Sequence, residues 1–390
     1  IPELVRSLLV RCLRKEPDER PESAAAVRRD LEEVIAQRLW SRLPPASFGT
    51  DARAPGATRS GNLPYLLDSF VGREREMNDV RSMLQGSRLL TLVGAGGCGK
   101  TRLAVETGST LLGTYPEGVW LAKLAPVRDP ERVPQTVLLA LGLKEERGRS
   151  VSETLVDSLQ GKAMLLILDN CEHLLGATAE LVEAVLGACP GLHVLATSRE
   201  RLGVPGETLY HVFPLAVPDP GERSWRNQVA CEALQLFLER AAAVRPGFAA
   251  TQETTPFVVE ICRRLDGIPL ALELAAARIE HLSPREIAER LDDRFRLLSP
   301  GRRTSPPHQQ TLQASIDWSY EQLSAEERAF FRRLSVFDGG WTLEAAEAVC
   351  TIAETEARQV LELLSSLVGK CLVEFDPAET QATGKTRHRM

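Results

Sequence analysis

The sequence predicts an α/β fold: a parallel sheet with helices on both faces, then an all-α segment, then a helical segment closing in a hairpin. Three observations carry the prediction. Between Leu89 and Val212 short apolar runs alternate with helical stretches, which is how a parallel sheet buried on both faces reads. One of those runs is separated from its helix by a glycine-rich turn ending in Lys100-Thr101. From Gln228 to Leu298 the periodicity is helical throughout, with an Ala/Leu-rich face at Leu270 to Ile279.

At 390 residues the chain is too long for one ordinary core, and about two to four domains are expected. Hydrophobic residues make up 43% and charged residues 26%, the balance of a globular protein and not of a disordered one. A net charge of -6 argues against a chain built to coat nucleic acid, while leaving room for a local basic face. The eight cysteines are scattered, with no CxxC pair or Cys/His cluster, so reduced thiols in a cytoplasm are expected and no metal–thiolate site. No apolar run approaches the roughly 20 residues that span a bilayer, so no membrane partner is expected. The chain opens on Ile1 and stops abruptly at Met390, and it reads as a segment of a longer protein.

Residues 1–38 are helical in pattern, with Leu4, Leu8, Leu9 and Leu13 on one face and a charged amphipathic helix from Ala24 to Ile35. The stretch from Cys12 to Pro21, with its helix-breaking Pro17 and Pro21, resembles the closing segment of Ser/Thr protein kinase domains. That resemblance implies an internal ion pair for Arg20 and a kinase in the longer protein. The catalytic parts of that kinase would precede Ile1, so no kinase activity is expected of these residues themselves. Residues 39–68, rich in Pro, Gly, Ala and Ser, read as a linker.

Residues 69–225 form the expected α/β domain. A helix runs from the Phe70–Glu76 stretch to Leu84, and strands are predicted at Leu89–Val93, Gly118–Leu124, Ala163–Leu168, His193–Ala196 and Thr208–Val212. Helices are predicted at Lys100–Leu112, Pro134–Leu141 and His173–Ala188. Residues 226–298 form a helical subdomain. After the polar break Ser299–Pro307, residues 299–390 carry helices near Leu312–Leu323, Ala325–Leu334, Leu343–Val349 and Thr355–Val368. Two strands, Cys371–Phe375 and Arg387–Met390, then suggest a winged helix.

The turn Gly94-Ala95-Gly96-Gly97-Cys98-Gly99-Lys100-Thr101 follows a buried strand and opens a helix, the context that marks GxxxxGKT as a phosphate loop. Its glycines let successive N–H groups, that of Cys98 included, curl inward at phosphate oxygens, where the helix N-terminus adds partial positive charge. Lys100 supplies a point charge for the β/γ-phosphates, Thr101 a hydroxyl for Mg²⁺, and Arg102 adjoins this binding set. A nucleoside triphosphate, ATP with Mg²⁺, is the expected ligand.

Met164–Asp169 is an apolar strand ending in a carboxylate, the usual source of a second Mg²⁺ contact, although Asp there also suits a strand-end turn. The next residue, where many ATPases carry a second acid, is Asn170, which can orient water but cannot take its proton. Glu172 and His173 are alternatives, although Glu172 suits the cap or start of the following helix better than it suits catalysis. Slow hydrolysis is the expectation. Arg199, at the tip of the next strand, either stabilises spreading charge on a γ-phosphate or forms a surface ion pair beside Glu200 and Arg201.

Five ordered stretches then share one resemblance: Val71-Gly72-Arg73-Glu74-Arg75-Glu76, the GxxxxGKT loop, Leu165–Asp169, Thr197-Ser198-Arg199, and Gly267-Ile268-Pro269-Leu270-Ala271-Leu272. Together they resemble the signal-transducing ATPases with numerous domains, in particular their bacterial branch found in transcriptional regulators and kinase fusions. The resemblance implies that Val71 and Arg73 border the adenine and ribose pocket, that Arg199 reads the γ-phosphate, and that Pro269 presses on the base. It also implies that the winged helix folds back over the nucleotide, with a motif beginning at His388-Arg389-Met390.

The expected function is therefore an ATP/ADP-driven switch with slow hydrolysis, self-associating or contacting a protein partner in the ATP state. Lys100, Asp169 and Arg199 are its expected catalytic set, and Thr101 and Asp169 its metal ligands. A faster ATPase and a DNA-binding regulator are the rival readings. Asp317, Glu321, Glu326, Glu327 and Glu344 leave the last domain without a clear basic face, so DNA is the less favoured partner.

Overall fold

Strand β1 (Leu89–Val93) is buried along its whole length because it lies inside a parallel sheet that helices cover on both sides. The computed structural model describes residues 61–145, 148–219, 224–291, 312–337, 340–351, 357–376 and 387–389. The kinase-like segment 1–38, most of the linker, and the 299–307 break lie outside the described residues.

The sheet comprises β1, β2 (Val119–Lys123), β3 (Met164–Asp169), β4 (Leu192–Ser198) and β5 (Glu207–His211), in the order β2-β3-β4-β1-β5. Neighbours are parallel, with Leu92 beside Thr197 and Ile167 beside Leu195. Alternate residues face opposite layers, as the pleat requires. Leu166, Leu168, Val194 and Ala196 pack under α3 (Val133–Ala140), α4 (Val151–Leu159) and α5 (Leu175–Ala188). Leu165, Ile167, Leu195 and Leu92 pack under α1 (Glu74–Gly86) and α2 (Lys100–Thr110). This is the predicted α/β arrangement. β1 has the predicted ends, and the other four strands run one or two residues beyond or short of theirs. Helix α4, not among the predicted helices, is nucleated by a capping box between Ser150 and Glu153.

Residues 61–69, part of the linker-like composition, lie along the edge of β2. Asn62 donates from Nδ2 to the Leu121 carbonyl at 2.9 Å and accepts the Leu121 N–H at 2.6 Å. Leu63 and Leu66 pack on the core beneath.

The next segment holds α6 (Trp225–Val229), α7 (Glu232–Val244), α8 (Thr255–Arg264), α9 (Pro269–Ala277) and α10 (Pro284–Arg290) around a core centred on Phe237, Ile261, Leu272 and Ile279. Gly267, at φ 65°, fixes how it joins the sheet. A side chain there would meet the Leu215 carbonyl at 2.1 Å, while its own carbonyl accepts from Leu215 N–H.

The C-terminal segment packs α11 (Leu312–Glu321), α12 (Ala325–Leu334), α13 (Leu343–Cys350) and α14 (Ala357–Gly369) around Phe330, Trp341 and Leu367. Its antiparallel sheet has the order β6-β8-β7, from β6 (Trp341–Thr342), β7 (Glu374–Asp376) and β8 (Arg387–Arg389). β7 begins later than predicted because Cys371 adopts φ 54°, which no extended strand accommodates. Among the described residues no helix is long and apolar enough to cross a membrane.

Candidate functional site

The parallel topology brings the loop after β1 and the C-terminal ends of β3 and β4 to one edge of the sheet, where open α/β sheets form their crevices. The glycine loop turns through Gly97 and Gly99 at φ 81° and 96° and enters α2 with no side chain capping its first N–H groups. Those donors are therefore available to an anion, reinforced by the helix dipole. Lys100 bends back over the loop and donates from Nζ to Gly94 and Ala95 carbonyls at 2.7 and 2.9 Å. Cys98 turns its side chain into the sheet core, so only its backbone belongs to the loop.

Below the loop, Asp169 is buried and accepts on Oδ1 from Thr101 Oγ1 at 2.5 Å and from Thr197 Oγ1 at 2.8 Å. Burial pushes its carboxyl above the usual value against those two hydrogen bonds. Thr197 Oγ1 in turn accepts from Asn170 N–H at 2.9 Å. Asn170 sits at φ 69°, a left-handed backbone that Asn and Asp tolerate better than longer side chains. The hydroxyl and carboxylate expected at a metal thus meet at one point, and hard oxygens of this kind are the donors Mg²⁺ takes.

Arg199 does not form the surface pair with Glu200. It is 6% exposed and donates from Nε to Glu172 Oε1 at 3.2 Å, an ion pair shielded from water on both sides. Its Nη1 donates to Ser319 Oγ in α11, and its carbonyl accepts from Cys371 Sγ at 3.2 Å. Both outer contacts come from the C-terminal segment. Glu172 does not cap α5, whose N-cap is Leu174.

Arg73, at φ 64°, reaches three parts of the chain. Its N–H donates to Glu232 Oε1 at 2.8 Å, and its Nη2 donates to the Cys98 and Phe213 carbonyls at 2.7 and 2.8 Å. Val71 packs on the helical core. Pro269 occupies the first turn of α9, and the next residue donates its N–H to the Gly97 carbonyl at 3.3 Å. Arg102 is turned to the side, paired with Glu106 and stacked over Phe70 at 5.9 Å.

Between these groups lies a cleft with about 320 Å³ of free space, lined by the loop, Thr197, Arg199, Arg73 and Pro269. Its other end is apolar, through Phe70, Val71, Leu236 and Leu270. Sequence reasoning missed Arg240, which lines this end and holds Glu273 at 3.0 Å and the Ser69 carbonyl at 2.9 Å. Only its burial marks it, since nothing in the local pattern of α7 distinguishes it from a surface arginine.

Residues 73–203 match the NB-ARC domain family. The chain is 44% identical over 308 residues to the Mycobacterium tuberculosis protein Rv0894, whose name assigns no function, across 79% of this chain and 75% of that one. It is 44% identical over 311 residues to Rv0890c of the same species, provisionally named an HTH-type transcriptional regulator, across 80% of this chain and 33% of that protein. Regulatory protein AfsR of Streptomyces coelicolor is 29% identical over 372 residues, across 87% of this chain and 34% of AfsR. The chain spans about one third of the length of these two regulators. Through its NB-ARC domain and the relative it matches over most of both lengths, the chain belongs to the signal-transducing ATPases with numerous domains, a family of regulatory nucleotide-binding proteins.

Proposed function

We propose that the chain is an ATP/ADP-driven switch in which the C-terminal segment is locked against the nucleotide domain in one state and released in the other. The observation that carries this reading is Arg199, which lines the phosphate cleft and is bonded at the same time to Ser319 of α11. A group that reads phosphate charge and also holds another segment couples the two sites in the sense a switch requires.

In this reading the loop amides, Cys98 included, and Lys100 hold the phosphates, and Lys100 exchanges its loop carbonyls for phosphate oxygens. Thr101 and Asp169 hold Mg²⁺, with which charge on the β- and γ-phosphates is neutralised. Val71, Arg73 and Pro269 border the base and ribose, and Arg102 stands at the outer edge. Arg199 senses the γ-phosphate by leaving Glu172 and Ser319, which frees the C-terminal segment for self-association or a protein partner. Hydrolysis is slow and resets the state, Asn170 being an amide that can orient water but cannot take its proton.

The test is to purify the chain and identify the nucleotide that comes with it, then compare its hydrodynamic size with ADP and with a non-hydrolysable ATP analogue, both with Mg²⁺. Retained ADP and a change of size with the analogue are expected. No retained nucleotide together with no binding on titration overturns the reading.

DNA contact through a winged helix has less support. Asp317, Glu321, Glu326 and Glu344 lie on its helices, and its contacts to Arg199 already engage it within the chain. Salt-dependent binding to duplex DNA, lost on removing residues 305–390, would favour that reading instead.

A further inference from the structure

We propose that Glu172 is the carboxylate that takes the proton from the attacking water, and that Arg199 masks it in the state seen here. This rests on the ATP-hydrolysing reading above. Glu172 is 8% exposed and lines the cleft beside Lys100, Thr101 and Asn170. Its Oε1 accepts from Arg199 Nε, while Oε2 is buried with no hydrogen-bond partner among the described residues. A buried carboxylate oxygen left unmet costs stability, so its retention at the cleft calls for a use.

The neighbouring candidates are each committed elsewhere. Asn170 is an amide and holds no basic oxygen. Asp169 Oδ1 already accepts from two hydroxyls. The His173 ring is engaged at Nε2 with the Val127 carbonyl, 2.8 Å away, and at Nδ1 with Asn170 at 3.4 Å. Glu172 lines the cleft and holds a basic oxygen that no described hydrogen bond engages, whereas Asp169 is assigned to Mg²⁺ in the reading above, and Glu172 does not spend that oxygen on capping α5.

The step balances without any further reagent. The water oxygen bonds to the γ-phosphorus, the bond from that phosphorus to the β–γ bridging oxygen breaks, and its electron pair leaves with ADP. The proton lost by the water passes to Glu172 Oε2, leaving inorganic phosphate and ADP as products. In the reading above the Arg199 guanidinium swings toward the γ-phosphate, and the Nε that now holds Glu172 goes with it. The movement that makes Arg199 a sensor therefore unmasks the base, and Ser319 opposes that movement from the C-terminal segment.

Glu172→Gln keeps an oxygen to accept from Arg199 Nε and removes only basicity, so it is compared with wild type on the full chain. Titration with an ATP analogue whose β–γ bond resists hydrolysis is expected to give affinities within about twofold, because the base is not a binding group. Single-turnover conversion of bound ATP is expected to slow by about 100-fold, and the variant is expected to retain ATP after purification where wild type retains ADP. Conversion at the wild-type rate overturns the proposal. So does binding of the analogue by both proteins with hydrolysis by neither, which leaves nucleotide binding standing. Absence of binding in both overturns the nucleotide reading itself. Glu172→Ala with added formate gives a second measurement: restored turnover supports Glu172 as the base, and turnover that formate leaves unchanged counts against it.

Discussion

Arg199 at the end of β4 and Ser319 in α11 are hydrogen-bonded across 120 residues of sequence, joining the cleft beside the glycine loop to the C-terminal segment. Hydrogen bonds that involve a charged group are worth about 1.5–3 kcal/mol. Ser319→Ala is therefore expected to release a fluorescent ADP analogue about tenfold faster than wild type, as followed by stopped flow. Unchanged release would separate Arg199 from the control of the C-terminal segment.

Among the described residues Lys100 has only loop carbonyls as hydrogen-bond partners, and it takes no part in the core. Lys100→Ala should leave the melting temperature of the ligand-free chain near wild type. Its nucleotide affinity should fall by about 100-fold, on the order of 3 kcal/mol, in calorimetric titration. Binding as tight as wild type would refute the phosphate-loop assignment.

Gly97 turns at φ 81°, and a Cβ there would lie 3.0 Å from Leu270 Cβ. Gly97→Ala combines left-handed backbone strain of about 1–2 kcal/mol with that contact. The expected result is looser docking of α9, read as a lower melting temperature and faster amide exchange at Leu270. Equal protection of Leu270 in both proteins would show that the loop and α9 adjust independently.

Glu327 ties α12 to the end of α14. Lys370 Nζ donates to both of its oxygens at 2.8 Å, and Ser366 donates to Oε1 at 2.5 Å. Burial presses the carboxyl upward, but Lys370, Ser366 and the Ser324 N–H outweigh it and hold the group below its ordinary 4.5. A depressed carboxyl contributes stability that is complete above the unfolded-state value and is lost as pH falls through the folded one. Melting of the C-terminal segment should therefore hold steady from neutrality to about pH 5 and drop below pH 4.5. Glu327→Gln should flatten that acid limb, while Lys370→Ala, which strands a largely buried charge, should cost about 3 kcal/mol at neutral pH.

Much of the sheet was legible because burial on both faces forces continuous apolar runs, as in β1 and β3. The loop was legible because phosphate chemistry demands glycines and a lysine at fixed spacing. Helix α4 was overlooked although it carries two signals, the Ser150–Glu153 cap and the spacing of Val151, Leu155 and Leu159 along one face; at nine residues it is a short stretch. The start of β7 was misjudged because Cys371 closes α14 in a left-handed turn, its N–H donating to the Val368 carbonyl and that of Leu372 to the Leu367 carbonyl, at a position glycine usually fills. Glu172 illustrates the wider limit. Position alone made it a helix-start candidate first and an alternative base second, and only the fold brings Arg199, 27 residues on, to its side.

Arg73 closes hydrogen bonds to residues 25, 140 and 159 positions away. None of these can form until the loop after β1, the segment following β5 and the first turn of α7 have each been brought into place. Closing the longer of these loops carries an entropic cost comparable to that of pairing β1 with β5. A chain stalled during synthesis before Glu232 would hold all five strands of the parallel sheet and lack the carboxylate that fixes the Arg73 N–H.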